Sequence, residues 1–271
     1  MSSTPPPWGR YVDLHPNKLH TIRISVPIAY LPWGSLEWHG PHLPFGINGM
    51  IAEAITDKLV RRTGGVVLPT TWWPATVRPH DQSLSITSDV MHAFWDNLFT
   101  DLARASWRVV VVLSGPYSPG HEMVLMDAAE TAMKEHQLLV LALPPLALVD
   151  DKMLDYGGLW ETSMMLALYP GLVALHTLGD AHSLTPTTSG ILGRDPRGAS
   201  SQSLGETVIG MAIERIERAV LQLLQDNDPA PLHAIYERRR MHYQEYLEQC
   251  YHGSHDQAVI EWWQRQCNNH Q

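Results

Sequence analysis

A chain of 271 residues, 44% hydrophobic and only 17% charged, holds enough apolar material for one substantial core. Its formal net charge of −9 argues against a nucleic-acid backbone or an anionic membrane surface as the main partner, and no apolar run reaches the length of a membrane span. A soluble enzyme fits these numbers better. In chain order, Ile28 to Trp33 reads as a buried strand. Met50 to Arg62 repeats apolar residues at helical spacing and stops at Gly64-Gly65, and Val66 to Pro69 is a short strand. Thr70 to Ser88 has no clean period and is expected to be a long loop over a cleft. Val90 to Ser106 is a second helix, and Val109 to Leu113 is a β-branched run suited to a central parallel strand. His121 to His136 is the next helix and Leu138 to Leu143 the next strand, stopped by Pro144-Pro145. Trp160 to Leu168 is an apolar helix, 177–202 is irregular, and Leu204 to Leu224 is a long amphipathic helix broken by Asn227-Asp228-Pro229.

Strands alternating with helices imply right-handed crossovers and helices on both faces of the sheet. The expected fold is therefore α/β, with a mostly parallel central sheet over residues 1–226. Residues 227–271, polar and dotted with Trp, Tyr and His, form a C-terminal helical extension that packs on the domain or on a partner subunit. The two cysteines, Cys250 and Cys267, are too few and too clustered to staple a secreted fold, and the first ten residues are Pro-rich rather than apolar. Both features favour a cytoplasmic location.

Chemistry is concentrated in Gly34-Ser35-Leu36-Glu37-Trp38-His39-Gly40-Pro41-His42-Leu43-Pro44, which puts a carboxylate and two imidazoles just past the end of a strand. Clefts of open α/β sheets lie there. Glu37 and His39 are two apart, so on extended backbone they point the same way and can serve one metal or two adjacent ones. Trp72, Trp73, Arg78 and His80 in the long loop, with Tyr117 in the second loop after a strand, are candidates for binding a flat substrate. Trp72 and Trp73 serve equally well as core closure beneath that loop.

Three stretches together resemble the creatininase (creatinine amidohydrolase) family: the Glu37 loop, the strand and turn Val109 to Gly115, and Gly157-Gly158-Leu159-Trp160-Glu161-Thr162-Ser163-Met164-Met165-Leu166-Ala167-Leu168-Tyr169-Pro170. The resemblance spans roughly residues 25 to 225. It implies a three-layer α/β/α fold, a homo-oligomer built as a hexameric trimer of dimers, and descent from two-metal hydrolases of non-peptide C–N bonds. It marks Glu37, His39 and Glu161 as metal-site positions. Where the family has a Thr-Asp pair whose aspartate bridges the metals, this chain has Ile47-Asn48; where it has Asn-Gly-His, this chain has Ser114-Gly115-Pro116; and Tyr156, after Asp155, replaces a histidine before the glycine pair. An asparagine bridges two cations far less well than a carboxylate, and proline cannot ligate.

The resemblance thus leaves open one divalent metal (Zn, Mn or Fe) on Glu37, His39 and a third group, with His121 and Glu122 as weak replacement ligands, or no metal at all. Without a metal, Glu37 acts as general base, His39 or His42 relays a proton, and Tyr156 or Asp155 donates. The functional expectation is an enzyme acting on a C–N bond of a small amide, lactam or related nitrogen compound, with Asn48 and His42 also facing the substrate. Two alternatives stand beside it: acid–base ring closure, dehydration or isomerisation, and a non-catalytic binding or assembly subunit that uses the extension as its interface.

Overall fold

Buried aliphatic runs set the centre of the molecule. The computed structural model describes residues 5–116, 118–180 and 184–269. Its strands are β1 (Trp8–Arg10), β2 (Ile28–Trp33), β3 (Gly65–Val67), β4 (Val109–Ser114) and β5 (Leu139–Leu143). They form one parallel sheet of order β1-β3-β2-β4-β5. Every residue of β2, β4 and β5 is buried, as befits strands covered on both faces.

The helices are α1 (Pro16–Ser25), α2 (Ile47–Thr63), α3 (Ser88–Arg104), α4 (Pro119–His136), α5 (Leu159–Leu168), the single turn α6 (Pro186–Ser189), α7 (Gln202–Asp226), α8 (Ala230–His242), α9 (Gln244–Gln249) and α10 (His255–Asn269). Helices α2, α5 and α7 pack together, as do α3 and α4. The chain leaves β2 through α2 to reach β3 on one side, then returns through α3 to β4 on the other. The carboxyl ends of β2 and β4 therefore flank the point where the winding reverses, the place where open sheets build their clefts.

The strands expected at 28–33, 109–113 and 138–143 and the long helices lie within a few residues of their observed bounds. Two elements depart from expectation. Edge strand β1 is three half-buried residues, too short for a periodic signal, and α1 is so weakly amphipathic that only Ile22 is buried. Its one cue is Pro16 at the first helical position. The irregular 177–202 segment contains α6, whose Thr185 side chain caps its N-terminus.

Glycines let the layers approach where the site forms. A Cβ on Gly34, just after β2, would strike the backbone of Gly49, and one on Gly115, just after β4, would strike the Asn48 backbone. Both strand ends thus press against the first turn of α2. Gly205 of α7 sits as tightly on Ser163 of α5, so Gly205→Ala is expected to cost about 1–3 kcal/mol by overpacking. Urea denaturation followed by circular dichroism reads this loss; an unchanged midpoint would mean that α5 and α7 are free to separate.

The extension folds back on the domain. Fully buried Arg239 of α8 donates to both carboxylate oxygens of Glu122 on α4, from Nε at 3.0 Å and Nη2 at 2.9 Å, and from Nη1 to Asp151 at 3.0 Å. Tyr243 donates to the same Glu122. At the other end, Asp256 of α10 accepts from the backbone N–H and hydroxyl of Ser88, the first residue of α3. A carboxylate at a helix N-terminus is favoured by the unpaired N–H groups there.

Candidate active site

Strand β2 ends at Trp33, and Gly34 turns the chain so that Ser35, Glu37, His39 and His42 enter a buried space against α2 and α5. Each of the four is at least 98% buried. Glu37 Oε1 accepts from the backbone N–H of Arg78 at 3.0 Å and Oε2 from Ser35 at 3.3 Å. The Tyr156 hydroxyl donates to the Trp38 carbonyl and lies against the Glu37 carboxylate. Burial raises the Glu37 pKa, a push that the Arg78 charge and these donors only partly oppose.

His39 stacks on the Tyr156 ring at 4.1 Å. Its Nδ1 is 2.8 Å from the Glu37 carbonyl, which only accepts, so Nδ1 carries the proton and Nε2 presents a lone pair. Asn48 fills that direction: its Nδ2 is 3.3 Å from His39 Nε2 and donates to Ser35 Oγ at 2.8 Å. The lone pair fixes the amide orientation, because a carbonyl turned toward Nε2 would set acceptor against acceptor. Burial pushes His39 down to about 3, so it is neutral at ordinary pH.

The other candidates fall into place around this pair. Glu161 Oε2 accepts from the Gly157 N–H at 2.6 Å and is 4.0 Å from His39 Nε2. Asp155 accepts from the N–H groups of Trp160 and Glu161 at 2.8 and 3.2 Å, capping α5, and burial carries it up to about 7 against those donors. His42 Nε2 donates to the Gly157 carbonyl at 3.0 Å and tethers the loop to the entrance of α5, while its Nδ1 has no partner. Arg78 lays its guanidinium 3.2 Å from the centre of the Tyr156 ring.

Other candidates stand apart from this cluster. Trp72 packs on Gly34, Gly46 and Gly49, and Trp73 is exposed. His80 stacks on Trp38 at 4.3 Å, and Tyr117 lies outside the described residues. His121 is satisfied at both nitrogens, by the Ala75 N–H and by Ser114 Oγ at 3.1 Å each, and Glu122 is committed to Arg239 and Tyr243. A carboxylate held by a buried arginine fork must leave that partner before it can bind a cation.

The donors do not fit a two-metal centre. Among the described residues no three of His, Cys, Asp and Glu converge in a way that would hold an ion. At the position of a bridging carboxylate, Asn48 directs N–H groups at His39 and Ser35, and the Arg78 charge beside Glu37 opposes a second cation.

The creatinine amidohydrolase (creatininase) family model matches residues 14–220. The chain belongs to the creatininase family. A creatinine amidohydrolase from Pseudomonas putida is 22% identical over 231 residues, covering 71% of this chain and 88% of that protein. A creatininase crystal structure superposes with a TM-score of 0.68 at 21% identity, covering 81% of this chain and 98% of its own. A manganese creatininase gives 0.66 at 20% identity, covering 78% and 96%, and a creatininase variant of the Zn–Zn type gives 0.65 at 21%, again covering 78% and 96%. The creatininase match stops within α7, so α8, α9 and α10 lie beyond it.

The buried imidazoles have a consequence for stability. His39, His42 and His121 are pushed by burial to about 3, 4 and 3, whereas in an unfolded chain they protonate near 6.5. Between pH 6.5 and 4.5 the unfolded state therefore binds more protons at these three, and stability falls as pH falls. The raised pKa values of Asp155 and Glu37 act in the opposite sense over the same window, but they are two groups against three. Denaturant titrations across this window are expected to show a loss of about 1.4 kcal/mol per pH unit for each net proton. A midpoint that rises on acidification would contradict neutral, buried imidazoles.

Proposed function

We propose that this chain is an enzyme acting on a C–N bond of a small amide, lactam or related nitrogen compound, with Glu37 as the group that moves the proton. The observation supporting this most directly is the convergence of Glu37, His39, Tyr156 and Glu161 in a buried space at the switch point of a creatininase-family sheet. The named relatives act as creatinine amidohydrolases, which supports the C–N class.

In hydrolysis, Glu37 takes a proton from water as its oxygen bonds to the carbonyl carbon, then returns that proton to the nitrogen as the C–N bond breaks. One water is consumed, leaving an acid and an amine. The raised pKa makes Glu37 a stronger base than a free carboxylate. The His39 Nε2 lone pair is taken by Asn48 at 3.3 Å, so His39 acts by holding Asn48 and the Tyr156 ring in place. Tyr156, whose hydroxyl titrates well above its usual range because of burial, stays protonated, and turning its single O–H from the Trp38 carbonyl makes it a donor to the substrate carbonyl oxygen.

A second reading is ring closure by the same groups in reverse, with loss of one water. It is favoured by the misfit between the donors and a two-metal centre. Incubating the protein with small amides, lactams and linear amino acids, with His39→Gln as control, separates the two by product mass. Gain of a water marks hydrolysis and loss of a water marks closure. No turnover of any compound by the native chain would contradict both.

A further inference from the structure

Arg78 is 5% exposed, yet its Nε and Nη1 have no hydrogen-bond partner. Its neighbours are ring faces: Tyr156 at 3.2 Å, and Trp263 and Trp262 of α10 at 5.1 and 5.9 Å. Aromatic faces attract a guanidinium but accept none of its in-plane N–H groups. Buried donors of this kind ordinarily have acceptors, so a group that recurrently occupies the space beside Arg78 should supply them.

That space exists on the extension side. A cleft of about 230 Å³ runs between the Asp155 and Gly193 loops and helices α8 and α10, bounded by Arg78, Asp155, Leu192, Tyr243, Trp262 and Gln266. By contrast the cavity beneath Asn48 and Glu161 holds about 20 Å³, room for a single water rather than an organic molecule. Arg78 lines this cleft and also touches Glu37 and Tyr156, so a molecule in the cleft lies beside both groups and against the Trp262 ring. The charge of that molecule is constrained from both sides. The bare guanidinium disfavours a cation such as a substrate guanidinium, and the carboxyl groups of Glu37 and Asp155, both of which interact with Arg78, disfavour a dianion such as phosphate.

We propose that this cleft binds an organic monocarboxylate, its carboxylate paired with Arg78 and its apolar body lying against Trp262, so that the substrate is a carboxylate-bearing amide or lactam. The substrate assignment rests on the C–N reading; the binding does not. Helices α8 and α10, beyond the family match, thereby supply one wall of the recognition site.

The test is binding of benzoate, read by intrinsic tryptophan fluorescence and calorimetry on the full chain, against benzyl alcohol and inorganic phosphate. Saturable benzoate binding is expected, weakened about tenfold or more by Arg78→Gln and partly restored by Arg78→Lys, with both comparison compounds weaker by a similar factor. Trp262→Ala, on the α10 wall, gives a second check should Arg78→Gln fail to fold, and it too weakens benzoate. Absent benzoate binding, equal binding of benzyl alcohol, stronger binding of phosphate, or indifference to both variants would overturn the proposal. Neutral amides turned over by a chain that ignores benzoate would sink this inference alone. Benzoate bound without turnover of any amide or lactam would sink the C–N reading instead.

Discussion

Arg239→Ala is expected to lower the unfolding free energy by about 3–5 kcal/mol, because it leaves the Glu122 carboxylate buried without its cationic partner. The guanidinium also holds Asp151, so three elements lose contact together: α4, the turn before α5, and α8. Replacing both partners as Glu122→Gln with Arg239→Met should recover much of the loss, since the cost lies in the orphaned charge more than in the pair itself. Urea denaturation of the two variants measures both effects. A deficit below about 1 kcal/mol for Arg239→Ala would show that water reaches Glu122 and that the extension is loosely held. The substitution should also speed amide hydrogen exchange in α10, whose tryptophans would no longer be held over Arg78.

Glu37→Gln is expected to reduce kcat/KM by roughly 10²–10⁴-fold on whichever amide or lactam is turned over. The substitution keeps the shape of the side chain and its carbonyl can still accept from the Arg78 N–H, so packing is preserved while proton transfer is lost. Thermal melts of the two proteins should nearly coincide. If activity survived within a few fold, the proton carrier would lie elsewhere in the cluster, and His39 or Asp155 would inherit the role.

The central architecture was legible because the strands that build it are unambiguous. Val109 to Leu113 is an apolar β-branched run bounded by turn residues, and Ile28 to Trp33 runs directly into the glycine and proline signals of the Glu37 loop. Strand β1 was not legible, since three half-buried residues at a sheet edge leave no periodic trace. At the site, spacing on an extended chain puts Glu37 and His39 on one side, and the resemblance adds Glu161 from across the chain. It did not show what Asn48 does. Only the geometry reveals that its amide caps the His39 lone pair, converting the position of a metal bridge into a hydrogen-bond donor. Trp262 and Trp263 carried a signal that sequence reasoning passed over: adjacent tryptophans on an otherwise polar helix call for a surface to cover, and that surface is Arg78.

Helices α8 and α10, beyond the family match, pack beside the candidate site. Glu122 faces Arg239 and Tyr243, and α10 packs on α4 and sets Trp262 and Trp263 over Arg78. Asn48 stands as a hydrogen-bond donor where the resemblance puts a bridging carboxylate, and α8 and α10 add a wall beside Arg78.

Metal stoichiometry tests that account most directly. Purified chain loaded with excess Zn or Mn, passed through gel filtration and analysed by mass spectrometry should retain fewer than two ions per chain, with Glu37→Ala and His39→Ala retaining the same amount as the native protein. Two ions per native chain, lost in both variants, would contradict it.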